Sequence, residues 1–276
     1  MFSLNITNNM LTIFLRYLKD KWLSLLVYTV ASVAMMWMYV GMFPSIAKQS
    51  ESYAQLAEAF PEAMMKAFGI ENFIMDKIEN FLAIEHFSMI WPLMLILLSF
   101  TFSSNAIARE IEKGTIEHLL CRPVSRLKIF FGKYVAGMTA MLVFVILSIF
   151  AIVPLGTLHG ISYQFPHFIT TAFLGFLFGW AIFSLAMMCS SFFSDKGKVA
   201  MTVGGLLIVM YVLNIISGLK ENLKNLEYLS FFHYFATADA LIKNIIDSQS
   251  IWVFIATALA CTIIGAWRFS KRDIAV

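Results

Sequence analysis

Long apolar stretches separated by short polar segments dominate the pattern of this 276-residue chain. A helix rises about 1.5 Å per residue, so roughly 20 apolar residues are needed to cross about 30 Å of hydrocarbon. Stretches of that length occur six times, at Trp22–Phe43, Phe87–Ala108, Ile129–Thr157, His167–Phe193, Val199–Ser217 and Ile251–Phe269. The third contains a charge, Lys133, at its entrance. The pattern predicts an all-α integral membrane protein with six transmembrane helices, built as a single domain over residues 1–276.

The arm before the first span, residues 1–21, has a helical pattern of its own. Its apolar side chains fall on one face of a helix and its polar side chains on the opposite face. The apolar face comprises Leu11, Phe14, Leu15, Leu18 and Trp22, and the polar face comprises Thr12, Arg16 and Lys19. This amphipathic pattern favours a helix that lies in the membrane interface before the chain turns into the bilayer. An early start to the first span is the alternative.

Two longer connections are expected on the outer side of the membrane. In residues 44–86, apolar side chains recur at helical spacing, which predicts amphipathic helices on the outer leaflet or capping the bundle. These side chains are Leu56, Phe60, Met64, Phe68, Ile70, Phe73, Ile74, Ile78 and Phe81. Residues 218–250 contain an aromatic cluster comprising Tyr228, Phe231, Phe232, Tyr234 and Phe235. Aromatic residues often anchor at the interface, so we expect an interfacial or partly re-entrant segment.

Composition and charge support this class and orient the chain. Hydrophobic residues make up 60% of the sequence and charged residues 13%, far from the roughly one-quarter charged content of soluble domains. Fourteen of the 20 basic residues fall in the N-terminal arm, the second and fourth connections and the tail. Basic residues concentrate on the cytosolic side, so both termini are predicted to be cytosolic in a multi-pass plasma-membrane protein. The basic residues form no continuous stripe, so no nucleic-acid partner is expected.

The polar segment 109–128 between the second and third spans reads REIEKGTIEHLLCRPVSRLK. Gly114 permits a left-handed turn, Thr115 can then cap a short helix, and Pro123 ends it. Ser125 can cap the next helix. The result would be a cytosolic helix over Ile116–Cys121 that exposes two leucines between charges. An ordinary polar loop is the alternative interpretation.

The same segment resembles the signature of the type 2 permease family of ATP-binding-cassette exporters, in which a run like E-x-G-T-x-E-x-L-L-x-x-P-V-S-R precedes the third span. In that family the segment is a coupling helix that rests on a separate nucleotide-binding ATPase subunit, and two permease chains meet around the translocation path. The resemblance implies a coupling role for Arg109, Glu110, Glu112, Gly114, Thr115, Glu117, Leu119, Leu120, Pro123 and Arg126.

The sequence contains no G-x-x-x-x-G-K-[ST] motif, so this chain is not expected to hydrolyse ATP. ATP and Mg²⁺ would be bound by the partner subunit, and this chain would bind no cofactor or metal of its own. A homodimer embedded in the lipid bilayer, with a cytosolic ATPase attached, is the predicted assembly.

Two alternative functions stay open at this level. An ion-coupled secondary transporter normally keeps ionisable residues in mid-membrane, and the spans have none there, although Na⁺ could use hydroxyls such as Ser99, Thr101 and Ser103. A membrane assembly factor could share the same fold. Gly175 and Gly179 form a G-x-x-x-G pair that permits close helix approach, either within the chain or between two chains.

Overall fold

The computed structural model describes residues 2–49, 75–117, 121, 124–219 and 221–273, and over these residues it is helical with no strand. The helices are α1 (Phe2–Ala47), α2 (Ile78–Leu82), α3 (Ile90–Ala106), α4 (Ala108–Glu112), α5 (Arg126–Ile149), α6 (Ile152–His159), α7 (Phe165–Phe192), α8 (Lys196–Leu219), α9 (Phe231–Tyr234) and α10 (Ser248–Lys271). Shorter turns are π-helical at Ala83–Phe87 and Asp239–Lys243, and a 3₁₀ helix covers Glu221–Leu229. The predicted all-α class is confirmed.

The described helices provide five stretches long and apolar enough to cross a membrane, and a sixth if one bent pair is counted. The five are Met10–Ala47, Arg126–His159, Phe165–Phe192, Lys196–Leu219 and Ser248–Lys271. The bent pair corresponds to the predicted second span, and its two parts, Ile78–Phe87 and Ile90–Ala106, meet at 44°. At about 1.5 Å per residue, α3 alone is about 26 Å long, slightly shorter than the roughly 30 Å of a hydrocarbon core.

Helix α1 runs without a break from Phe2 to Ala47, so no interruption separates the arm from the first span at the predicted boundary near Trp22. Tyr17 is buried and its hydroxyl donates a hydrogen bond to the carbonyl of Phe102 on α3. Leu11 and Leu15 are more than half exposed. Phe14 and Leu18 of the predicted apolar face pack against the core, so this face is divided between the bundle and the exposed surface. Its placement in the membrane interface stays a prediction.

Helix α7 lies at the centre of the bundle. Two-thirds of its most apolar window is buried, and α3, α5, α8 and α10 all pack against it. A Cβ atom added to Gly175 would lie 2.5 Å from Trp91, and one added to Gly179 would lie 2.5 Å from Met141 and 3.0 Å from Leu95. Both glycines therefore lie where α7 closely approaches α3 and α5 of the same chain. A role for the pair between two chains stays a prediction.

Four pieces of the chain meet at one end of the bundle. Tyr17 of the N-terminal arm bonds to the last turn of α3, and Glu112 bonds to the start of α8. Arg272, just after α10, bonds to the end of α7 and to Arg126 at the start of α5. These are the four segments in which the sequence concentrates its basic residues, so the structure agrees with their grouping on one side.

At the opposite end of the bundle, the described part of the predicted outer loop does not form separate surface helices. Of the predicted outer loop, residues 50–74 lie outside the described residues, so the pattern from Leu56 to Ile74 has no structural outcome here. The described remainder, Met75–Phe87, packs into the bundle, where Ile78, Phe81 and Phe87 are almost completely buried. This part of the loop caps the bundle, which was one of the two predicted arrangements.

The aromatic cluster of residues 218–250 also turns inward. The ring of Phe235 stacks on Phe178 of α7 at 4.2 Å and on Trp91 of α3 at 6.3 Å between centroids. Phe231 and Tyr234 are buried too, whereas Tyr228 is 53% exposed. Aromatic partners on three helices thus give most of these rings a packed site within the protein. Whether the segment is interfacial or partly re-entrant stays a prediction.

Candidate coupling site

The polar segment 109–128, which we call the coupling segment, begins at a break in the second span. Ile107 has φ −127° and ψ −58°, so the helix ends at Ala106 and restarts at Ala108. Two other helices satisfy the backbone groups that this break frees. Lys133 of α5 donates to the carbonyl of Ala106 at 2.6 Å, and the N–H of Ala108 donates to the hydroxyl of Ser190 on α7 at 3.1 Å.

Glu110 is directed toward α5, and its side chain is partly exposed. Its carboxylate forms an ion pair with the ammonium of Lys133, whose side chain is only 3% exposed. The Lys133 ammonium also lies 5.8 Å from the ring centroid of Tyr17. Lys133 lies near the start of α5, as the sequence indicates, and its side chain is buried in the bundle, where the ion pair offsets part of its desolvation cost.

Glu112 ties the coupling segment to α8. Its carboxylate accepts a hydrogen bond from the backbone N–H of Lys196 at 3.1 Å. Asp195 caps the same helix by accepting from Gly197 at 2.6 Å and Lys198 at 3.3 Å. The first amides of a helix lack intrahelical partners and carry a partial positive charge, so both carboxylates stabilise this terminus.

Gly114 sets the conformation of the turn after α4. Gly114 has φ 68°, the left-handed conformation that the sequence predicts. Its N–H donates to Ile111, and the N–H of Ile116 donates to Glu110, which satisfies two carbonyls at the end of α4. The hydroxyl of Thr115 donates to the same Glu110 carbonyl at 3.4 Å. The bond that Thr115 makes therefore closes the preceding helix, whereas the sequence predicts a cap for the following one.

Only part of the predicted Ile116–Cys121 helix belongs to the described residues. The N–H of Cys121 donates to the carbonyl of Glu117 at 2.9 Å, the i to i+4 spacing of one α-helical turn. Ile116 is buried and Cys121 is exposed. Leu119, Leu120 and Pro123 lie outside the described residues, so their predicted exposure and coupling role stay predictions.

The segment leads into α5 through the predicted cap. Ser125 accepts a hydrogen bond from the N–H of Lys128 at 3.4 Å and starts the helix at Arg126. The Arg126 guanidinium donates to the carbonyl of Arg272. Arg109, at the other end of the segment, donates to the side chain of Asn105 at 2.6 Å, so it bonds within its own span.

Sequence reasoning missed Arg272, which it treated only as a topology signal. The side chain is 8% exposed and donates to the carbonyls of Ser191 at 3.0 Å and Phe193 at 2.9 Å, and also to the hydroxyl of Ser194. Burial lowers the pKa of this guanidinium, although arginine stays charged at neutral pH. Arg272 thus joins the ends of α7 and α10 beside the coupling segment. No local pattern distinguishes it from Arg268 or Lys271.

Comparison with known proteins adds an independent observation. Residues 14–274 match the family model of the ABC-2 family transporter proteins. The chain is also similar to the uncharacterized membrane protein YdbK of Bacillus subtilis (strain 168), with 24% identity over 212 residues that cover 72% of this chain and 85% of that protein. Because the family match extends over nearly the whole sequence, this protein belongs to the ABC-2 family, whose members are the non-catalytic transmembrane components of ATP-binding-cassette transporters.

Proposed function

We propose that this chain is the membrane subunit of an ATP-driven exporter, moved by a separate cytosolic ATPase that docks on the coupling segment. The observation that carries the proposal is the set of bonds between this segment and the bundle. Glu110 bonds to α5, Glu112 bonds to α8, and Arg126 bonds to the residue after α10. Force applied to the segment would therefore reach three further helices directly.

The absence of ionisable side chains from the middle of the predicted spans favours ATP over an ion gradient as the source of energy. Lys133 is buried at the coupling end and is paired with Glu110. The hydroxyls considered for Na⁺ are engaged within their helix, since Ser99 donates to Leu95 at 2.7 Å and Thr101 to Leu97 at 2.9 Å. Donation leaves the oxygen lone pairs free, so the case against the secondary-transporter alternative rests on the lack of mid-span charges.

In this proposal both termini are cytosolic, the protein resides in the plasma membrane, and ATP and Mg²⁺ are bound by the partner. Two copies of the chain form the translocation path. Helix α8 carries exposed apolar side chains such as Met201 and Ile208, at 78% and 66% exposure, which can contact lipid or a second copy. A path without charges favours a lipophilic or amphipathic cargo, such as a drug, a peptide or a lipid.

The test is purification of the tagged chain in mild detergent, identification of any co-purifying ATPase, and measurement of ATP hydrolysis in lipid nanodiscs. The informative variant is Gly114→Val, which strains the left-handed turn of the coupling segment. Gly160→Val is a matched control, because Gly160 also has a positive φ, 64°, but lies after α6 at the opposite end.

We expect the wild-type complex and the Gly160→Val complex to hydrolyse ATP and to respond to a membrane-active cargo such as a cationic amphiphilic antibiotic. The Gly114→Val complex should lose that response. Equal activity in the two variants would make the coupling segment an ordinary loop. Recovery of a stable assembly with no ATPase would favour the assembly-factor alternative.

A further inference from the structure

Lys133 bonds on both sides of the break in the second span. Its ammonium donates to the carbonyl of Ala106, the last residue of α3, and pairs with the carboxylate of Glu110 in α4. The two partners flank Ile107, the residue whose conformation separates the helices. One side chain of α5 thus holds the end of α3 and the first turn of α4 together.

The choice of lysine at this place has a cost. Removing an ammonium from water is costly, and an apolar side chain of similar length would avoid that cost but leave the Ala106 carbonyl unpaired. Glu110 recovers only part of the cost, since its own side chain is 23% exposed. The bond to Ala106 would cap α3 by itself, whereas the further pair with Glu110 also links α5 to α4.

The other side of the break provides a pivot. Ser190 of α7, the central and most buried helix, accepts from the N–H of Ala108. The break is therefore held by a neutral hydrogen bond to the central helix α7 and by the long, charged side chain of Lys133 from α5. Motion of α4 about Ile107 would pull on Lys133 through Glu110.

From this geometry we propose that Lys133 is a positioning residue that makes α5 follow α4 when the coupling segment moves. The inference rests on the proposed function, because it assumes that an ATPase moves that segment. Energetic coupling between elements is carried by contiguous contacts that bias both of them, and the Glu110–Lys133 pair is such a contact. Lys133 itself need not touch the ATPase or the cargo.

The test measures two movements separately by electron paramagnetic distance measurement. The native cysteines are replaced by serine, and the complex is studied in nanodiscs with and without ATP and vanadate. A reference spin label is placed at Ile263 of α10, which is 67% exposed. The second label is placed either at Lys113, at the end of α4, or at Leu142, an exposed position of α5.

In the wild-type complex we expect nucleotide to shift both distances. In Lys133→Met the shift at Lys113 should persist, while the shift at Leu142 should fall by about threefold or more. The double variant Lys133→Gln with Glu110→Gln, which can restore neutral hydrogen bonds, should recover much of the Leu142 shift. If Lys133→Met does not assemble, Glu110→Ala removes the link from the α4 side and should give the same separation.

Ser148→Ala is the control for general destabilisation, because it removes another buried hydrogen bond, the one from Trp91 at 2.9 Å, away from the coupling segment. Both shifts should persist in it. A full Leu142 shift in Lys133→Met would overturn the positioning role while leaving the exporter intact. The absence of any nucleotide-dependent shift in the wild-type complex would overturn the proposed function and this inference with it.

Discussion

The carboxylate of Glu112 accepts a hydrogen bond from the backbone N–H of Lys196, so the last residue of α4 caps the first turn of α8. The two residues are 84 positions apart and belong to different spans. A side chain in the segment proposed to receive force is therefore also part of another helix's N-terminus. Movement of α4 would expose or protect the first amides of α8.

Glu112→Ala should loosen the start of α8. Loss of a capping side chain typically costs about 0.5–2 kcal/mol, so the amides of Lys196 to Val199 should exchange with solvent faster. Hydrogen exchange with mass spectrometry on the purified chain would measure this. Glu112→Gln keeps an acceptor oxygen and should retain most of the protection. Unchanged exchange in Glu112→Ala would show that Asp195 alone caps this helix.

Gly175→Ala should destabilise the bundle, because the added methyl group would lie 2.5 Å from the indole of Trp91. Overpacking of this kind typically costs about 1–3 kcal/mol. Thermal unfolding in detergent would detect it as a lower midpoint. Gly205→Ala is the matched control, since no atom lies within 4 Å of the new methyl group. It should be neutral or stabilising, and similar midpoints for the two variants would contradict the packing.

Phe235→Ala should weaken the attachment of the outer aromatic segment to the bundle. The ring is 6% exposed and stacks between Phe178 and Trp91, and truncation of a buried phenylalanine costs about 3–5 kcal/mol. Limited proteolysis between residues 221 and 247 would report release of the segment. Tyr228→Ala, at a 53% exposed ring of the same cluster, should leave the cleavage pattern unchanged. Equal cleavage in both variants would argue against the stacked arrangement.

Single cysteines should report the predicted orientation. In a background without Cys121, Cys189 and Cys261, a cysteine at Asn222 should react with an impermeant thiol reagent added to intact cells. A cysteine at Lys198 should react only after the membrane is opened. Both side chains are exposed in the structure, so a difference in labelling reports the side of the membrane on which each position lies. Labelling of the Lys198 variant in sealed cells would reverse the orientation.

The apolar pattern predicted several features correctly because each depends on residues near one another in the chain. The span positions follow from about 20-residue apolar runs, and the left-handed turn at Gly114 and the Ser125 cap follow from the local chemistry of glycine and serine. Helix bounds differ from the predictions by only a few residues in the fourth, fifth and sixth spans. The glycine pair of α7 indicated that another helix approaches α7 closely, but it did not indicate which helix.

A partner distant in sequence decides what the local pattern leaves open. The sequence allowed an interfacial or a partly re-entrant segment around Phe235, and Phe178 and Trp91 provide a packed site that its own neighbours could not reveal. Ile78, Phe81 and Phe87, before α3, likewise pack into the bundle. In both cases an amphipathic or aromatic pattern indicates what a segment can contact, and tertiary structure selects between lipid and protein.

The sequence by itself determined the membrane class, the helix positions, the left-handed turn at Gly114 and the Ser125 cap, since hydrophobic length, charge and turn chemistry are local properties. Tertiary structure alone decided which residues of that segment face inward. Glu110 pairs with Lys133, Glu112 caps α8, and Arg272 bridges the ends of α7 and α10. The physical reason is that a charge is stable inside the bundle only opposite a partner, and that partner comes from another helix.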